Sequence, residues 1–339
     1  MKGLVNIGNT CYMNSALQCL VHIPEIRNYF LTGKARDDIN VDSPEAKLCL
    51  QFEILVYNMC QNRHNKGEAH NPIDFIRAFL MTCQSKNIDF NGFQQNDTGD
   101  FINIFLDLLN NSISNRISNN VLLNINKNPE TLGDRIEKDA SISWCKFFKN
   151  NYSHLVEMLY SQVRSVTTCP ECGYECANYD PSLTIDLPIP ECLQYNNNIT
   201  LYNLLDNYTK TEILDTDNQW KCDSCNKKVN CQKNIIFWKL SKIIIIVIKK
   251  YNLSNKLSMN INYPLLLDMR NYCLNYHETN LKYKLIGVCV HEGGLGGGHY
   301  WSMCKKDSTW MKYNDDSVSH IKDNKELKSR DAYCLVYRR

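Results

Sequence analysis

The sequence predicts an α+β fold in which a helical N-terminal half is followed by a β-rich C-terminal half. Up to about residue 110, apolar residues recur at the spacing of amphipathic helices. From Ser161 onward, apolar and polar residues alternate between prolines, which is typical of half-buried strands. Because the spacing of apolar residues changes from helical in the first half to alternating in the second, we expect a helical layer beside a sheet, with a functional site between them.

Helical spacing is clearest in two segments of the N-terminal half. One contains Leu48 and Phe52, and the other begins near Asp100. Residues 110–140 are polar and rich in Asn, so we expect a loop there. A short amphipathic helix is predicted over residues 143–160.

The strands of the C-terminal half are predicted from β-branched and aromatic residues. The apolar run Ile243–Ile248 indicates a strand that is buried on both faces. Further strands are expected at Tyr283–Val290, Tyr300–Cys304, Thr309–Tyr313 and Tyr333–Tyr337.

Composition excludes several classes of partner and location. The net charge is +2, with 38 basic and 36 acidic residues well mixed, so we expect neither a nucleic-acid nor a membrane partner. No apolar segment reaches the roughly 18 residues of a membrane span, and no secretory leader is expected. The 17 cysteines are an odd number, which favours reduced thiols in an intracellular protein.

Cys11 is the first candidate for chemistry, in the segment Asn6–Ser15. A helical pattern through Leu17 and Leu20 follows it, and Thr10 before it is a capping residue type. We therefore expect the thiol at a helix N-terminus, where the helix dipole and free amides favour the reactive thiolate. The alternative is a small buried hydrophobic residue.

His299 is the second candidate. Five glycines lie within residues 293–298, which predicts a flexible loop that lets another backbone approach closely, and His299 then begins a strand. A histidine at a cleft edge can take a proton from a thiol and later protonate a leaving amine. The alternative is an ordinary surface histidine beside a mobile hairpin loop.

A third feature lies on the next predicted strand, a short hairpin after His299. Asn314 or Asp315 could accept the second imidazole N–H and hold the ring in its working tautomer. Cys, His and Asn or Asp in this chain order match the arrangement of papain-like proteases.

Two Cys-x-x-Cys pairs predict a metal site. Cys169 and Cys172 form one pair, Cys222 and Cys225 the other, and two such pairs complete a tetrahedral zinc site. The long gap between them requires the chain to leave and return. A redox pair is the competing interpretation, and the flanking Cys176 and Cys231 are alternative ligands.

Together these motifs resemble those of the ubiquitin-specific protease (USP) family of cysteine deubiquitinases. Gly3–Ser15 resembles the family's cysteine box, and Gly298–Tyr300 lies in its histidine box. Leu240–Tyr251 and Asp331–Tyr337 resemble two of its strands. Because the similarity runs from residue 3 to residue 337, nearly the whole chain resembles a catalytic core.

The resemblance implies a fold and partners. It implies one catalytic domain over residues 1–339 with a papain-like fold. The helical thumb would span about 1–155, the zinc-ribbon fingers 156–240 and the β-rich palm 241–339. It also implies one structural zinc ion, and ubiquitin and ubiquitinated proteins as partners of a monomeric enzyme.

The resemblance also assigns catalytic roles. Cys11 would be the nucleophile, His299 the general base and acid, and Asn314 the third member of the triad. Asp315 falls on an adjacent acidic position that supports catalysis, and Asn6 on the oxyanion-hole side chain. From its local sequence alone, Asn6 is better explained as a turn residue beside Gly8.

Substrate contacts follow from the same comparison of motifs. Asp97 and Asp100 would share one helix face and pair with the arginines near the C-terminus of ubiquitin, although the family usually has Glu at the second position. Gly298 and Tyr300 would line the channel for the ubiquitin tail. The alternative for the two carboxylates is a solvated first helical turn.

The expected activity is thiol-dependent hydrolysis of the isopeptide or peptide bond after the C-terminal glycine of ubiquitin, through a Cys11 thioester. One alternative is a catalytically weak or inactive scaffold that binds ubiquitin. The other is a papain-like protease for a ubiquitin-like modifier or an ordinary peptide.

Overall fold

The computed structural model describes residues 1–61, 68–92, 94–115, 129–194, 198–251, 256–257, 259–274, 279–294 and 297–339. Within these ranges the structure is α+β, as predicted from the change of hydrophobic period. Eight of the nine α-helices in these ranges precede all of the strands of these ranges along the chain.

The α-helices of the described ranges are named in chain order. They are α1 Cys11–Val21, α2 Pro24–Leu31, α3 Lys34–Asp38, α4 Ala46–Cys60, α5 Ile73–Ser85, α6 Thr98–Ile113, α7 Leu132–Phe147, α8 His154–Leu159 and α9 Leu201–Tyr208. Short 3-10 turns lie at Glu191–Leu193, Thr216–Asn218, Arg270–Tyr272 and Asn324–Leu327.

The strands of the described ranges are named in the same way. They are β1 Ser161–Thr168, β2 Glu175–Ser182, β3 Thr184–Pro188, β4 Ile199–Thr200, β5 Glu212–Leu214, β6 Trp220–Cys222, β7 Lys227–Val229, β8 Cys231–Lys239, β9 Ile243–Lys249, β10 Ile261–Asn262, β11 Leu266–Asp268, β12 Lys282–Gly294, β13 Gly297–Lys306, β14 Thr309–Asn314, β15 Ser317–Ile321 and β16 Ala332–Arg338.

An eight-stranded sheet is the centre of the molecule. Its order is β15-β14-β13-β12-β16-β9-β3, and β11 also pairs with β12. β9 is buried on both faces, as predicted, because Ile245 and Val247 join the core under the helices while Ile244 and Ile246 join the core on the opposite face. α1 is buried along its whole length and packs on β12 and β13, which brings its first residue to the sheet.

A separate four-stranded antiparallel sheet, in the order β2-β1-β8-β5, extends from the large sheet together with the small β6–β7 hairpin. β3 lies within the stretch predicted as fingers, but it pairs in parallel with β9 of the large sheet. A short parallel pair of β4 and β10 completes the described strands.

Two predictions for residues 110–160 are wrong. The predicted loop over 110–140 contains the end of α6 and the first nine residues of α7, and its residues 116–128 lie outside the described part. α7 begins at a capping box of Thr131 and Asp134, and its buried stripe has only one apolar residue per turn. The single helix predicted over 143–160 is two helices, because α7 ends at Phe147 and Ser153 caps α8.

The remaining strand predictions are confirmed, with β12, β13, β14 and β16 covering the predicted segments. All 17 cysteines are free thiols. No helix within the described ranges combines the length and the apolar character that a membrane crossing needs.

Candidate active site

Cys11 is the first residue of α1, as predicted. Thr10 does not cap the helix with its side chain; instead, the turn before the helix is organised by Asn6. The Oδ1 atom of Asn6 accepts hydrogen bonds from the backbone N–H groups of Gly8 and Thr10, each at 3.2 Å. Gly8 has a φ of 108°, a conformation that glycine adopts without steric cost. The Asn6 side chain therefore shapes the turn that presents the thiol.

The thiol of Cys11 is buried, with 6% of the residue exposed. Burial is the largest influence on it and raises the pKa of Cys11 above its ordinary value. The backbone N–H groups of Tyr300, Tyr12 and Cys11 act in the opposite direction, whereas Asp315 raises the pKa further. The predicted helix N-terminus is present, but its effect does not exceed that of burial, so the resting thiol needs a base to remove its proton.

His299 is the third residue of β13, and its ring is held by Asn314 at the end of β14. His299 Nε2 and Asn314 Oδ1 are 2.5 Å apart. Because Oδ1 can only accept, Nε2 carries the proton in this pair and Nδ1 keeps its lone pair. The imidazole can therefore accept a proton at Nδ1. The side chain is 42% exposed.

Asp315 joins the N-terminal segment to the turn between β14 and β15. Its Oδ2 accepts from Asn6 Nδ2 at 2.9 Å, and its Oδ1 accepts from Asn14 Nδ2 at 2.8 Å. The same Oδ2 lies 3.9 Å from His299 Nε2. The Asn6 amide, which the resemblance assigns to an oxyanion hole, is thus bonded to Asp315 in this structure.

Gly3 explains how the N-terminal segment approaches this turn so closely. A Cβ atom on Gly3 would lie 2.5 Å from the carbonyl oxygen of Asp316 and 2.6 Å from that of Asp315. The N–H of Leu4 donates to the same Asp315 carbonyl at 2.9 Å. Only glycine permits this approach, which places Asn6 beside Asp315.

A cleft of about 240 Å³ lies in front of Cys11. Its walls come from the turn before α1, the segment before α6, and the β12–β13 hairpin. The lining residues are Asn9, Cys11, Tyr12, Gln95, Asn96, Asp97, Tyr251, His291, Gly294, Gly298 and Tyr300. Of the predicted channel residues, Gly298 and Tyr300 therefore lie beside the thiol.

The glycine-rich segment before His299 is a hairpin in its described part. Gly293 pairs with Gly298 and Gly294 with Gly297, and residues 295–296 lie outside the described ranges. The prediction of a loop is wrong for these four glycines, which extend the β12–β13 ladder. The flexibility of the segment stays a prediction. A Cβ atom on Gly298 would lie 2.1 Å from His291 Nε2, so the cleft wall requires glycine here.

Asp97 and Asp100 do not share a helix face as predicted, because Asp97 is the N-cap of α6. Its Oδ1 accepts from the Gly99 and Asp100 N–H groups at 2.6 and 3.2 Å, and its Oδ2 accepts from the Tyr333 hydroxyl. Asp100 is exposed in the first turn, and partial burial of its carboxylate together with the charge of Asp97 raises its pKa. Asp97 therefore has structural partners, and Asp100 faces solvent.

Four residues of the site were not singled out from the sequence. His291 lines the cleft and bonds through Nδ1 to the hydroxyl of Tyr251. Asn14 bonds to Asp315, and Tyr333 bonds to Asp97. Asn14 could have been identified from the sequence, since it is an amide in an otherwise largely apolar helix and a buried amide needs a hydrogen-bond partner. The other two contacts join segments that are far apart in the chain, so the local sequence does not predict them.

The four predicted metal ligands come together. The Sγ atoms of Cys169, Cys172, Cys222 and Cys225 all lie within 4.8 Å of one another. Those of Cys169 and Cys225 are 3.9 Å apart, and those of Cys172 and Cys222 are 3.8 Å apart. Tetrahedral zinc with Zn–S bonds of about 2.3 Å requires S–S distances of roughly 3.8 Å, so this donor set fits a zinc ion. Cys176 and Cys231 are not part of this group.

A family comparison extends over almost the whole chain. Residues 2–337 match the model of the family described as Ubiquitin carboxyl-terminal hydrolase. This match confirms the resemblance predicted from the sequence motifs.

Similar proteins carry the same description. Ubiquitin carboxyl-terminal hydrolase 4 of Saccharomyces cerevisiae is 29% identical over 363 residues, which cover 99% of this chain and 39% of the yeast protein. Ubiquitin carboxyl-terminal hydrolase 2 of Homo sapiens is 30% identical over 347 residues, covering 99% of this chain and 55% of the human protein. The chain thus spans about two fifths of its yeast relative and about half of its human one.

Solved structures share the fold. A SAGA DUB module bound to monoubiquitin matches with a TM-score of 0.73 and 25% identity, covering 100% of this chain and 69% of that chain. The yeast SAGA DUB module with an Sgf73 mutant matches with a TM-score of 0.72 and 26% identity, covering 100% and 68%. These matches confirm the predicted fold class.

Proposed function

Because the chain belongs to the ubiquitin carboxyl-terminal hydrolase family, we propose that it is a deubiquitinating cysteine protease. It cleaves the isopeptide or peptide bond after the C-terminal glycine of ubiquitin. One observation carries this proposal: Gly298 and Tyr300, the residues on either side of the Asn314-bonded His299, line the same cleft as Cys11. This arrangement supports a thiol and an oriented imidazole acting together, as nucleophilic catalysis requires.

The reaction begins with proton transfer. His299 Nδ1 takes the thiol proton, and the resulting imidazolium is stabilised by Asn314 Oδ1 and by the Asp315 carboxylate 3.9 Å away. The thiolate attacks the carbonyl carbon of the terminal glycine. His299 then protonates the departing amine, a thioester remains on Cys11, and water hydrolyses it to release ubiquitin.

The oxyanion of the tetrahedral intermediate needs donors. The backbone N–H of Cys11 is one, because the first N–H groups of α1 have no partner within the helix. The Asn6 amide is the other, and its Nδ2 exchanges Asp315 for the oxyanion when substrate is bound. Asp315 retains the hydrogen bond from Asn14 during this exchange.

The ubiquitin tail occupies the cleft in front of Cys11. Gly298 leaves room for an extended backbone, and Tyr300 forms part of the same wall. Asp100 is the carboxylate for an arginine near the ubiquitin C-terminus, because it is exposed at the start of α6. Asp97 supports this end of the cleft as the helix N-cap and contributes its remaining negative charge.

One zinc ion with a structural role binds Cys169, Cys172, Cys222 and Cys225. The ion would hold the β1–β2 turn against the β6–β7 hairpin at the tip of the fingers, residues 156–240. The globular part of ubiquitin rests on these fingers and on the palm, residues 241–339, opposite the thumb, residues 1–155. Ubiquitin and ubiquitinated proteins are the partners of a monomeric, intracellular enzyme.

The direct test is cleavage of ubiquitin that carries a fluorogenic amide at its C-terminal glycine. We expect multiple turnovers by the wild-type chain and none by Cys11→Ala. A matched substrate made from a ubiquitin-like modifier tests whether the chain is instead a protease for such a modifier. Faster cleavage of this substrate than of the ubiquitin substrate would reassign the substrate. Binding of ubiquitin without any turnover would identify a non-catalytic scaffold instead.

A further inference from the structure

A second cavity, of about 510 Å³, lies at the opposite end of α1 from Cys11. His22, which follows α1, lines it, so the two sites are about 16 Å apart along the helix. Among the described residues that line it, Asp307 is the only one with an acidic side chain. Its cationic lining residues are Arg27, Lys282, Lys284, Lys305, Arg338 and Arg339. This concentration of positive charge contrasts with the net charge of +2 for the whole chain.

The sheet directs several of these cations to one side. On β12, Tyr283 and Leu285 are buried in the core, so Lys282 and Lys284 project from the other face. Lys284 lies directly opposite Arg338 of β16 in the strand register. Like charges in directly opposed positions destabilise a sheet, so this pair opposes folding.

The repulsion is only partly compensated by nearby carboxylates. Glu25 of α2 accepts from Arg338 Nε at 2.9 and 3.0 Å, and it is shared with Lys242 at 2.9 Å. Arg27, Lys284 and Lys305 have no carboxylate within 4.0 Å among the residues that the structure describes.

An arrangement that breaks a folding rule without a local benefit is typical of a functional site. Because Arg27, Lys284 and Lys305 have no carboxylate nearby among the described residues, an anionic ligand would neutralise their charge.

We propose that this cavity binds a small, multiply phosphorylated molecule through Arg27, Lys284 and Lys305. Its volume falls in the range of roughly 300–1,000 Å³ of small-molecule sites. Phosphate oxygens suit both the planar fork of Arg and the compact charge of Lys. A nucleic-acid strand would instead need a long basic track, and the mixed charge of the chain does not favour one.

The ligand would join two layers of the fold. Arg27 belongs to α2, Lys284 to β12 and Lys305 to β13, so one bound molecule bridges the helices and the sheet. β13 also carries His299 near its other end. A ligand that binds only the folded state raises thermal stability.

Calorimetry with inositol hexakisphosphate at 150 mM salt tests the proposal and needs no catalytic activity. We expect one molecule bound per chain, a raised melting temperature, and at least tenfold weaker binding by the double variant Lys284→Gln/Lys305→Gln. Without ligand, that variant should melt no lower than wild type, because Lys284→Gln removes its repulsion with Arg338. Lys47→Gln/Lys322→Gln, a double variant at other positions, controls for general charge and should bind as wild type does.

Absence of binding by wild type, or equal weakening by the control variant, would overturn the proposal. Two further probes distinguish other occupants. Tighter binding of a decaglutamate peptide would assign the cavity to an acidic protein segment. Tighter binding of a single-stranded oligonucleotide, lost in Lys284→Gln/Lys305→Gln, would assign it to nucleic acid. Either result would overturn the small-molecule proposal, and neither depends on the proposed hydrolase activity.

Discussion

Asn6 and Asp315 are 309 positions apart in the chain, yet Asn6 Nδ2 donates to Asp315 Oδ2 at 2.9 Å. This contact joins the turn that presents Cys11 to the turn that follows Asn314. It makes the relative position of thiol and imidazole a property of the folded domain as a whole.

The first prediction concerns this junction. Asp315→Ala leaves the amides of Asn6 and buried Asn14 without their shared acceptor, which should cost about 1–3 kcal/mol in the free energy of unfolding. Urea unfolding measures the loss. Asp316→Ala, at the exposed neighbouring position, is the matched control and should leave stability unchanged. Equal stability of the two variants would show that the junction contributes nothing.

The second prediction concerns imidazole orientation. Asn314→Ala removes the acceptor for His299 Nε2, so kcat for the ubiquitin amide should fall by about 100-fold or more while KM changes little. Asn314→Asp keeps an acceptor oxygen at the same place and should restore most of the activity. Steady-state kinetics of the three proteins decide the point, and an active Asn314→Ala variant would remove Asn314 from the proposed triad.

Much of this site was predictable from residue types and their order. The helix start at Cys11, the strand that carries His299 and the four-cysteine group all follow from local pattern and spacing. The Asn6–Asp315 contact does not, since spacing along the chain says nothing about which distant turns meet. The first half of α7 was not predicted for a different reason. Its buried stripe has only one apolar residue per turn, so the helical spacing is hard to recognise in the sequence.

The glycine-rich segment shows a further limit. Glycine runs usually indicate flexibility, and the sequence alone cannot reveal that Gly298 is required by the His291 ring beside it. Tertiary contact rather than conformational freedom explains this glycine. The structural role of Asp97 could not be predicted for the same reason, because its carboxylate accepts a hydrogen bond from Tyr333 on β16, far away in the chain.

The third prediction concerns the metal site. Purified protein should contain about one equivalent of zinc per chain, and Cys222→Ser should lose it because a tetrahedral thiolate site needs all four ligands. Elemental analysis and the melting temperature measure both effects. Cys192→Ser, at an exposed cysteine outside the group, is the control and should keep the metal. A metal-free protein with an unchanged melting temperature would contradict the assignment.

The fourth prediction concerns acid sensitivity. Burial, aided by the charge of Lys256, lowers the pKa of His291 to about 4, below its ordinary value of 6.5. The fold therefore favours neutral His291, and its contribution to stability is present above pH 6.5 and is lost as the pH falls toward 4.

His291→Gln should flatten the dependence of unfolding free energy on pH between 6.5 and 4, the window set by these two values. Urea unfolding at several pH values measures the slope. His154→Gln, at a half-exposed surface histidine, should leave it unchanged. An unaltered slope in His291→Gln would show that another group causes the acid sensitivity.

Labelling with ubiquitin that carries an electrophile at its C-terminus tests most directly whether Cys11 is the nucleophile of a deubiquitinase. Intact mass spectrometry should show one ubiquitin added to the wild-type chain and to Cys192→Ala, which lacks an exposed thiol, and none added to Cys11→Ala. An unreactive wild-type chain, or a Cys11→Ala variant that reacts as fast as wild type, would contradict the proposed function.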